Sequence, residues 1–419
     1  MAPHLFDAQV SRRSLLAGTA SAAMLALAGC GGGGNSSSGG GGTKTITLLS
    51  NNGADREPIV QSAITAYEDA NPGTKITVLN IADGAQFNTK VKTQALADSL
   101  SDVFYVRTLE LAANAKDGWL TPLGSHLGSS DVDPADFYPA VQEQFRYQGE
   151  YYALPEDLSA YGIYVNTTMF DELGIPVPTG DWTWTEFYEL AEEFAVREGS
   201  RQTRWGGYIN PSSWGLRGIM RANGGEVFNE DGSEAIVDNA ENAETFSQIG
   251  DAAKAGAIPA FEGLPTGVDA FAGGLVAMFM NGSWYAGGAE AAIGDRFEWA
   301  IVSMPKGTTG KREIATAGGG WGMSKDAKDP DGTWAFLEYL TSADVQADFP
   351  WVQGGALTAR QSDPARDILF PEFGDDAGAF SYPPLWTKYE LSLYNRMGTL
   401  LSGENPSSVL AQIQEETNR

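Results

Sequence analysis

The first stretch of the chain with a regular pattern of apolar and polar residues lies between residues 45 and 106. Runs rich in β-branched and aliphatic residues alternate there with longer amphipathic stretches, and Pro and Gly stand at the switches. This order predicts a parallel sheet with helices on its faces. The predicted elements are strand Thr45–Leu49, helix Arg56–Ala70, strand Lys75–Leu79, helix Phe87–Leu100 and strand Asp102–Val106.

Four residues follow or end these predicted strands: Asn51, Asn52, Tyr105 and Arg107. Ligands of open α/β sheets bind beyond the carboxyl ends of the strands, so we expect these residues at a binding rim. Each is alternatively a loop residue without a role. Arg107 is suited to binding a pair of hydroxyl groups, or to an ion pair with a neighbouring acid.

Residues 1–29 have the features of an export signal. Arg12 and Arg13 form a charged region of the twin-arginine type, and Ala17–Ala28 is apolar but too short for a membrane span, which needs about 20 residues. Leu27-Ala28-Gly29-Cys30 resembles the lipobox of prokaryotic lipoproteins, which implies lipid attachment to Cys30. The alternative of a buried structural thiol fits poorly among glycines and small residues.

Residues 30–43 are predicted to be a tether. Gly31–Gly42 is almost entirely glycine and serine, and such a segment behaves as a flexible coil with a reach of about 20 Å. A lipid on Cys30 would therefore hold the folded part close to the outer face of the cytoplasmic membrane, at the cell surface or in the periplasm.

Composition narrows the classes of function. The chain has 419 residues, of which 42% are hydrophobic, so the part beyond the tether exceeds the size at which single cores stop growing, and two domains are expected. The formal net charge of −27 argues against nucleic acid as a partner, because nucleic acid requires basic patches. Cys30 is the only cysteine, so the fold has no internal disulfide.

An enzyme has little catalytic chemistry available in this sequence. The only histidines are His4, within the signal, and His126, so a zinc site or a Ser-His-Asp triad has at most one histidine available. Glu156-Asp157 resembles a glycosidase carboxylate pair, but neighbours on a strand point to opposite faces. Asn229–Glu234 lacks the ligand pattern of a calcium loop and is interpreted as a turn. No catalytic residue, metal or cofactor is therefore expected, and a secreted glycan-acting hydrolase or a lectin is the alternative class.

Tryptophans in loops are the strongest candidates for ligand contacts. The chain has eleven tryptophans, and a flat indole ring covers the apolar face of a pyranose at low entropic cost. Trp182, Trp184 and Trp334 fall within predicted helices and are expected to be packing residues. The tryptophans beside glycine or in polar loops are Trp214, Trp284, Trp321, Trp351 and Trp386.

Several segments, taken in order from about residue 44 to the end, resemble extracellular solute-binding proteins of the sugar-binding group that feed ABC importers. This class includes maltodextrin-binding protein. The segments are Ala66–Gly73 with Lys75–Val78, Ser101–Phe104, Gly118–Leu123, Tyr151–Pro155, Tyr164–Asn166, Met169–Gly174, Trp184–Phe187 and Ala277–Trp284.

The resemblance implies an α/β fold of the two-lobed periplasmic-binding-protein type (type II), each lobe a mainly parallel sheet flanked by helices. The chain would cross between lobes near residues 154–160, 312–318 and 351–357. Lobe 1 would comprise 44–155 plus 316–352, and lobe 2 would comprise 156–315 plus 353–419. The implied function is capture of a carbohydrate, a di- or oligosaccharide, by a monomer that delivers it to a membrane permease.

The resemblance also implies particular ligand contacts. Trp284 aligns with an aromatic that stacks on sugar in maltodextrin-binding protein, and Trp214 has the spacing of another. Gly319, within the glycine-rich strand Gly318–Trp321, would let the backbone approach a ligand, and Trp321 and Trp386 would contribute rings. Around the first crossing the implied hydrogen-bonding residues are Asp157, Ser159 and Tyr161; Asp157 alternatively caps or orients the hinge.

Overall fold

The computed structural model describes residues 43–53, 56–260, 267–347, 357–358, 377–378, 380–402 and 405–419. The predicted export signal, Cys30 and nearly all of the tether lie outside these residues. Trp351 and most of the third predicted crossing also lie outside them.

The strands of the described residues are β1 Lys44–Ser50, β2 Thr74–Asn80, β3 Val103–Arg107, β4 Arg146–Tyr147, β5 Glu150–Tyr151, β6 Leu154–Pro155, β7 Asp157–Asn166, β8 Val196–Glu198, β9 Arg201–Ile209, β10 Val276–Gly282, β11 Trp299–Val302, β12 Ile314–Ala317, β13 Gly319–Met323, β14 Leu357–Thr358 and β15 Ala377–Gly378.

The α-helices of the same residues are α1 Glu57–Ala70, α2 Gly84–Leu96, α3 Thr108–Lys116, α4 Gly124–Leu127, α5 Pro139–Gln144, α6 Thr167–Leu173, α7 Trp184–Phe194, α8 Ser213–Ala222, α9 Ala240–Ala255, α10 Gly267–Ala272, α11 Ala286–Ile293, α12 Pro330–Leu340, α13 Ala343–Ala347, α14 Trp386–Leu401 and α15 Pro406–Asn418.

The first sheet has the strand order β2-β1-β3-β13-β6. Strand β1 pairs in parallel with β2 and β3, which confirms the predicted strand–helix–strand unit. Helix α1 buries Val60, Ile64 and Tyr67, spaced at helical intervals on the face toward the sheet. Helix α2 begins three residues earlier than predicted, because the Asp83 side chain accepts a hydrogen bond from the Gln86 N–H.

The second sheet has the order β15-β12-β7-β10-β9-β8, with β11 and β14 also pairing with β7. Every residue of β7 is buried. The expectation of a mainly parallel sheet needs correction here, because β7 is antiparallel to β10, β11, β12 and β14. The chain enters the second sheet along β7 and leaves it along β12, so these two strands run in opposite directions and the sheet is mixed.

The two sheets are joined by two adjacent segments of chain. Strand β6 belongs to the first sheet and β7 to the second, while β12 pairs with β7 and β13 pairs with β6. The chain therefore leaves the first sheet between Pro155 and Asp157 and returns to it between Ala317 and Gly319. Each sheet packs its helices around its own hydrophobic core.

The buried carboxylate of Asp102 links two strands of the first sheet to the loop before α12. The Asp102 Oδ2 atom accepts hydrogen bonds from the Thr47 N–H at 2.8 Å and the Thr47 hydroxyl at 2.6 Å. Its Oδ1 atom accepts from the Lys328 N–H at 2.9 Å, ahead of α12. Asp102 thus links β1, β3 and the loop before α12.

We expect Asp102→Ala to lower the free energy of unfolding by about 3 kcal/mol, because donors at this buried position lose their acceptor. Urea denaturation measures the effect. Asp251→Ala is the matched control, since Asp251 forms an exposed pair with Lys254 on α9 and its removal should change stability by less than about 0.5 kcal/mol. Equal effects of the two substitutions would contradict the role given to Asp102.

Candidate functional site

A cavity of about 480 Å³ opens between the carboxyl ends of β1 and β3 on one side and α8, the turn after β10 and α14 on the other. Pockets that hold small ligands commonly measure about 300–1,000 Å³. The sequence-predicted residues that line it are Asn51, Tyr105, Arg107, Asp157, Ser159, Tyr161, Trp214 and Trp284. The structure thus brings together residues that are as much as 233 positions apart (Asn51 to Trp284).

One wall of the cavity is aromatic. The Trp214 and Trp284 ring centroids lie 5.4 Å apart at an interplanar angle of 34°, and Tyr161 meets both rings edge-on. Trp284 is 44% exposed, whereas Trp214 and Tyr161 are buried. The wall therefore offers one accessible indole backed by two fixed rings.

Local sequence sets the orientation of these rings. Trp284 lies in the 3₁₀ turn Ser283–Tyr285, directly after β10, and its ring folds back over Gly282. A Cβ atom at Gly282 would lie 1.5 Å from the Trp284 ring, so only glycine permits this placement. Ser212 caps α8 by accepting from the Gly215 N–H, and its hydroxyl also bonds to the Tyr161 hydroxyl.

The opposite wall is polar and includes Arg107 at the end of β3. Its Nε atom donates to the Glu110 Oε2 atom at 3.0 Å, so the ion pair considered from sequence forms. The neighbouring carboxylate of Glu110 raises the pKa of Arg107, which stays charged. The guanidinium nevertheless lines the cavity, and pairing with Glu110 holds its plane in place.

A second arginine, Arg56, was not predicted as a site residue. Its Nη2 atom contacts the Glu156 Oε2 atom at 2.8 Å, and its Nη1 atom lies 3.6 Å from the Asp157 Oδ2 atom. Its Cζ atom also lies 5.9 Å from the Tyr105 ring centroid. Because Arg56 directly precedes α1, just beyond the end of β1, the rule that drew attention to Asn51 could have found it.

Two buried carboxylates share this guanidinium. Burial raises the pKa of Glu156 to about 7, since the charge of Arg56 offsets only part of the lost hydration and Asp157 adds a like charge. Burial also raises the pKa of Asp157. Asp157 accepts a hydrogen bond from the Gly319 N–H at 2.6 Å, so it orients the crossing as well as lining the cavity.

Gly319 shapes the cavity, because the Tyr105 hydroxyl lies where a Cβ atom of residue 319 would stand. Its N–H donates to Asp157, and its carbonyl accepts from the Glu156 N–H at 2.9 Å. The neighbours Ala317 and Gly318 line the cavity instead. The missing side chain at Gly319 therefore leaves room for the Tyr105 hydroxyl, and the Gly319 N–H binds Asp157.

Three predicted contacts lie in the interior instead. Trp321 is fully buried in the core of the first sheet, and Trp386 is fully buried in the core of the second, against Tyr382 and Tyr389. Asn52 is 1% exposed and donates to Glu57 at 3.1 Å. The strand-end position of Asn52 and the glycine or proline neighbours of Trp321 and Trp386 suggested exposure, but packing from distant elements covers all three side chains.

Three further residues line the cavity but were not predicted from the sequence. Asn210 follows β9, so the strand-end rule could have indicated it. Glu390 and Tyr394 lie inside α14 and reach the cavity only through the packing of that helix. Glu390 accepts from the Ser213 hydroxyl at 2.7 Å, and burial raises its pKa.

The structure also shows the surroundings of three tryptophans and of one turn that the sequence predicted. Trp182, Trp184 and Trp334 are buried packing residues, as expected, but Trp182 lies just ahead of α7 and not within a helix as predicted. Asn229–Glu234 forms a turn closed by a hydrogen bond from the Glu234 N–H to the Asn229 side chain at 3.0 Å.

Among the residues that the structure describes, no cluster of His, Cys, Asp or Glu is arranged to hold a metal ion, and no helix has the length and apolarity to span a bilayer.

Comparison with known families places this geometry in a class. The profile of the bacterial extracellular solute-binding protein family matches residues 51–347, and the chain belongs to that family. A lactose-binding protein of Rhizobium radiobacter is 26% identical over 295 residues, which cover 70% of this chain and 66% of that relative, just under two thirds of its length.

Solved structures share the fold. An ABC substrate-binding protein from Listeria monocytogenes in complex with cycloalternan is 23% identical, with a TM-score of 0.77 over 90% of this chain and 98% of that chain. The maltose/maltodextrin-binding domain of Bdellovibrio bacteriovorus bound to maltotriose is 19% identical, with a TM-score of 0.77 over 89% and 98% of the respective chains. The α/β periplasmic-binding-protein fold is therefore confirmed, and the protein is an extracellular solute-binding protein and not an enzyme.

The pKa of Glu156 yields a prediction about stability and pH. A carboxyl whose pKa is higher in the folded state than in the unfolded chain binds more protons when folded, so its contribution to stability is lost as pH rises. For Glu156 the loss should fall between about pH 4.5 and 7, at up to about 1.4 kcal/mol per pH unit.

Urea denaturation from pH 5 to 8 would measure the free energy of unfolding of the unaltered protein and of Glu156→Gln, which cannot titrate. We expect the unaltered protein to lose stability relative to this variant up to about pH 7 and then to run parallel to it. Parallel curves throughout would show that Glu156 titrates at its ordinary pKa.

Proposed function

We propose that this protein is the substrate-binding component of an ABC importer, and that it captures a neutral di- or oligosaccharide and delivers it to a membrane permease. The observation that carries the proposal is the accessible Trp284 ring, backed by Trp214, facing a wall of fixed polar groups. No cofactor takes part, and the protein acts as a monomer.

The chemistry of the cavity suits a sugar. A pyranose has apolar C–H faces and a rim of hydroxyl groups, so it requires a flat aromatic surface beside hydrogen-bonding side chains. Asn51, Ser159 and Asn210 offer neutral donors and acceptors, while Asp157 and Glu390 offer carboxylate acceptors. The arginines of the cavity wall, Arg56 and Arg107, already contact carboxylates, which disfavours a phosphorylated ligand.

Several relatives point to the same ligand class. The Rhizobium radiobacter relative is named for lactose, and a Streptococcus mutans relative, 25% identical over 150 residues, is named a multiple sugar-binding protein. The structural neighbours described above hold cycloalternan and maltotriose. These ligands support a carbohydrate as the cargo of this chain.

Capture would involve closure of two lobes. We place lobe 1 at 44–155 plus 316–352 and lobe 2 at 156–315 plus 353–419. Without ligand, closure would bury polar groups that have no partner, so the open form is favoured. A sugar supplies hydrogen bonds to Arg107 on one lobe and a face to Trp284 on the other, which favours the closed form that docks on the permease.

The export of the protein belongs to the same proposal. The twin-arginine signal at 1–29 and lipidation of Cys30 would place it at the outer face of the cytoplasmic membrane, with residues 30–43 as the tether. The family to which it belongs is extracellular, which supports this location.

A thermal-shift screen of the purified protein tests the proposed ligand class. The panel contains lactose, maltose, maltotriose, mannotriose and ribitol, with glucose 6-phosphate as the anionic comparison. A neutral sugar that binds the folded state should stabilise it by about 2.7 kcal/mol at a hundredfold excess over its Kd. Stabilisation by glucose 6-phosphate alone would overturn the proposal of a neutral ligand, and stabilisation by no member of the panel would overturn the carbohydrate proposal.

Paired variants locate the site. Trp284→Ala should weaken sugar binding by about tenfold or more and leave the melting temperature nearly unchanged, because the ring is partly exposed. Trp386→Phe is the matched control: it should lower the melting temperature and preserve affinity, since that ring is buried away from the cavity. Calorimetric titration measures both affinities. Unchanged affinity in Trp284→Ala together with lost affinity in Trp386→Phe would show that the sugar does not bind at Trp284.

Cys30→Ala tests the anchor in the native host. We expect loss of incorporation of labelled fatty acid and release of the protein from the membrane fraction, because one residue carries the lipid. Ser36→Ala, within the same tether, is the control and should remain membrane-bound. Membrane retention of Cys30→Ala without a lipid would contradict lipoprotein anchoring.

A further inference from the structure

Three charged side chains meet at the floor of the cavity, where the chain crosses from the first sheet to the second. Arg56 contacts the Glu156 Oε2 atom at 2.8 Å, and its Nη1 atom lies 3.6 Å from the Asp157 Oδ2 atom. Arg56 and Asp157 line the cavity, and Glu156 lies behind them with 1% of its surface exposed. We call these three residues the crossing cluster.

The crossing cluster has one net negative charge when both carboxylates are ionised, because one guanidinium faces two acids. The groups that face Glu156 are Arg56 ahead of α1, Tyr105 of β3, Asp157 of β7 and Trp321 of β13. Burial raises the pKa of the Tyr105 hydroxyl, so it stays neutral, and the indole of Trp321 carries no charge. Uptake of one proton by a carboxylate therefore makes the cluster neutral.

Glu156 is the carboxylate that takes this proton. Burial raises the pKa of Glu156 to about 7, and the like charge of Asp157 adds to the rise. Asp157 accepts the Gly319 N–H at 2.6 Å, and this hydrogen bond favours its charged form. The charge of the cluster thus changes near neutral pH, through a side chain that the ligand does not reach.

Sugar binding changes the surroundings of the crossing cluster. A sugar in the cavity replaces water beside Arg56 and Asp157, and closure of the lobes would remove more of it. Loss of hydration disfavours a net charge, so the protonated, neutral cluster is favoured in the complex. A sugar hydroxyl that donates to Asp157 keeps that carboxylate ionised, which leaves Glu156 to hold the proton.

We propose that Glu156 is a positioning residue of the binding site, which takes up a proton from solvent when a neutral sugar binds and leaves Arg56 balanced by Asp157 alone beneath the ligand. No bond of the sugar changes. This inference rests on the proposed function and deepens it, because capture of the sugar becomes dependent on pH. The protein would hold its sugar more tightly at pH 6 than at pH 8.

Two other titratable groups are distinguished from Glu156. His126 is the only histidine beyond the signal; its ring stacks on Trp334 with the centroids 5.1 Å apart, and it is not part of the cavity lining. Glu390 does line the cavity, and burial together with the nearby charge of Glu110 raises its pKa. Glu390 is therefore the alternative proton acceptor that the experiment has to separate.

Calorimetric titrations of the full chain in detergent with lactose, maltose and maltotriose test the inference. These sugars do not titrate near neutral pH, so any proton taken up on binding belongs to the protein. Affinity for a sugar that binds should be about fivefold higher at pH 6 than at pH 8. Titrations at pH 7.5 in phosphate and in Tris, whose ionisation enthalpies differ, should show uptake of about half a proton per sugar.

Four variants assign the proton. Glu156→Gln keeps the shape of the side chain but cannot titrate, so its affinity should be equal at both pH values, without proton uptake. Glu156→Asp retains a carboxyl and should keep the pH dependence. Glu390→Gln should keep the same ratio of affinities between the two pH values. Glu415→Gln removes an exposed carboxylate that pairs with Arg419 on α15, and this matched control should behave as the unaltered protein.

Equal affinity at pH 6 and pH 8 without proton uptake, or a pH dependence that survives in Glu156→Gln, would overturn the inference. A pH dependence that is lost in Glu390→Gln would assign the proton to Glu390 and overturn it as well. Failure of all three sugars to bind would also overturn it. The proposed function is judged separately, since the broader thermal-shift panel tests binding without any dependence on pH.

Discussion

The architecture depends on one pairing: two segments that run antiparallel from one sheet into the other. Residues 154–166 and 314–323 pair as Leu154 with Trp321 in the first sheet and as Ala160 with Thr316 in the second. The two sheets are therefore joined by one pair of adjacent chain segments, although each sheet has its own core. A binding site at this junction is supplied with residues from both sides, and any change in the angle between the sheets is concentrated in a few residues.

Charge at the junction reinforces the pairing. Asp157 accepts the Gly319 N–H across the two segments, and Arg56 contacts Glu156 next to it. A buried guanidinium shared by two carboxylates would be unfavourable if one partner were removed, so the group behaves as a unit. It also fixes Tyr105, whose hydroxyl lies against Gly319, at the wall of the cavity. Structural and ligand-facing roles are thus combined in the same residues.

The aromatic wall of the cavity is fixed before any ligand binds. The Trp284 ring lies over Gly282 and packs against the rings of Trp214 and Tyr161. Rings that are fixed before the ligand arrives lose little conformational entropy on binding. Arg107 lies in the polar wall of the same cavity, and its pairing with Glu110 likewise holds the guanidinium in place.

The sequence by itself determined the first parallel strands. It also identified Asn51, Arg107, Trp214 and Trp284 as residues of the cavity, because hydrophobic period, turn residues and family motifs are local features. Only the tertiary structure decided that Trp321 and Trp386 are buried and that Glu390 and Tyr394 face the cavity. Whether a ring beside glycine or proline is exposed depends on what packs over it from distant parts of the chain. The direction in which a helix such as α14 presents its polar residues is likewise settled by that packing.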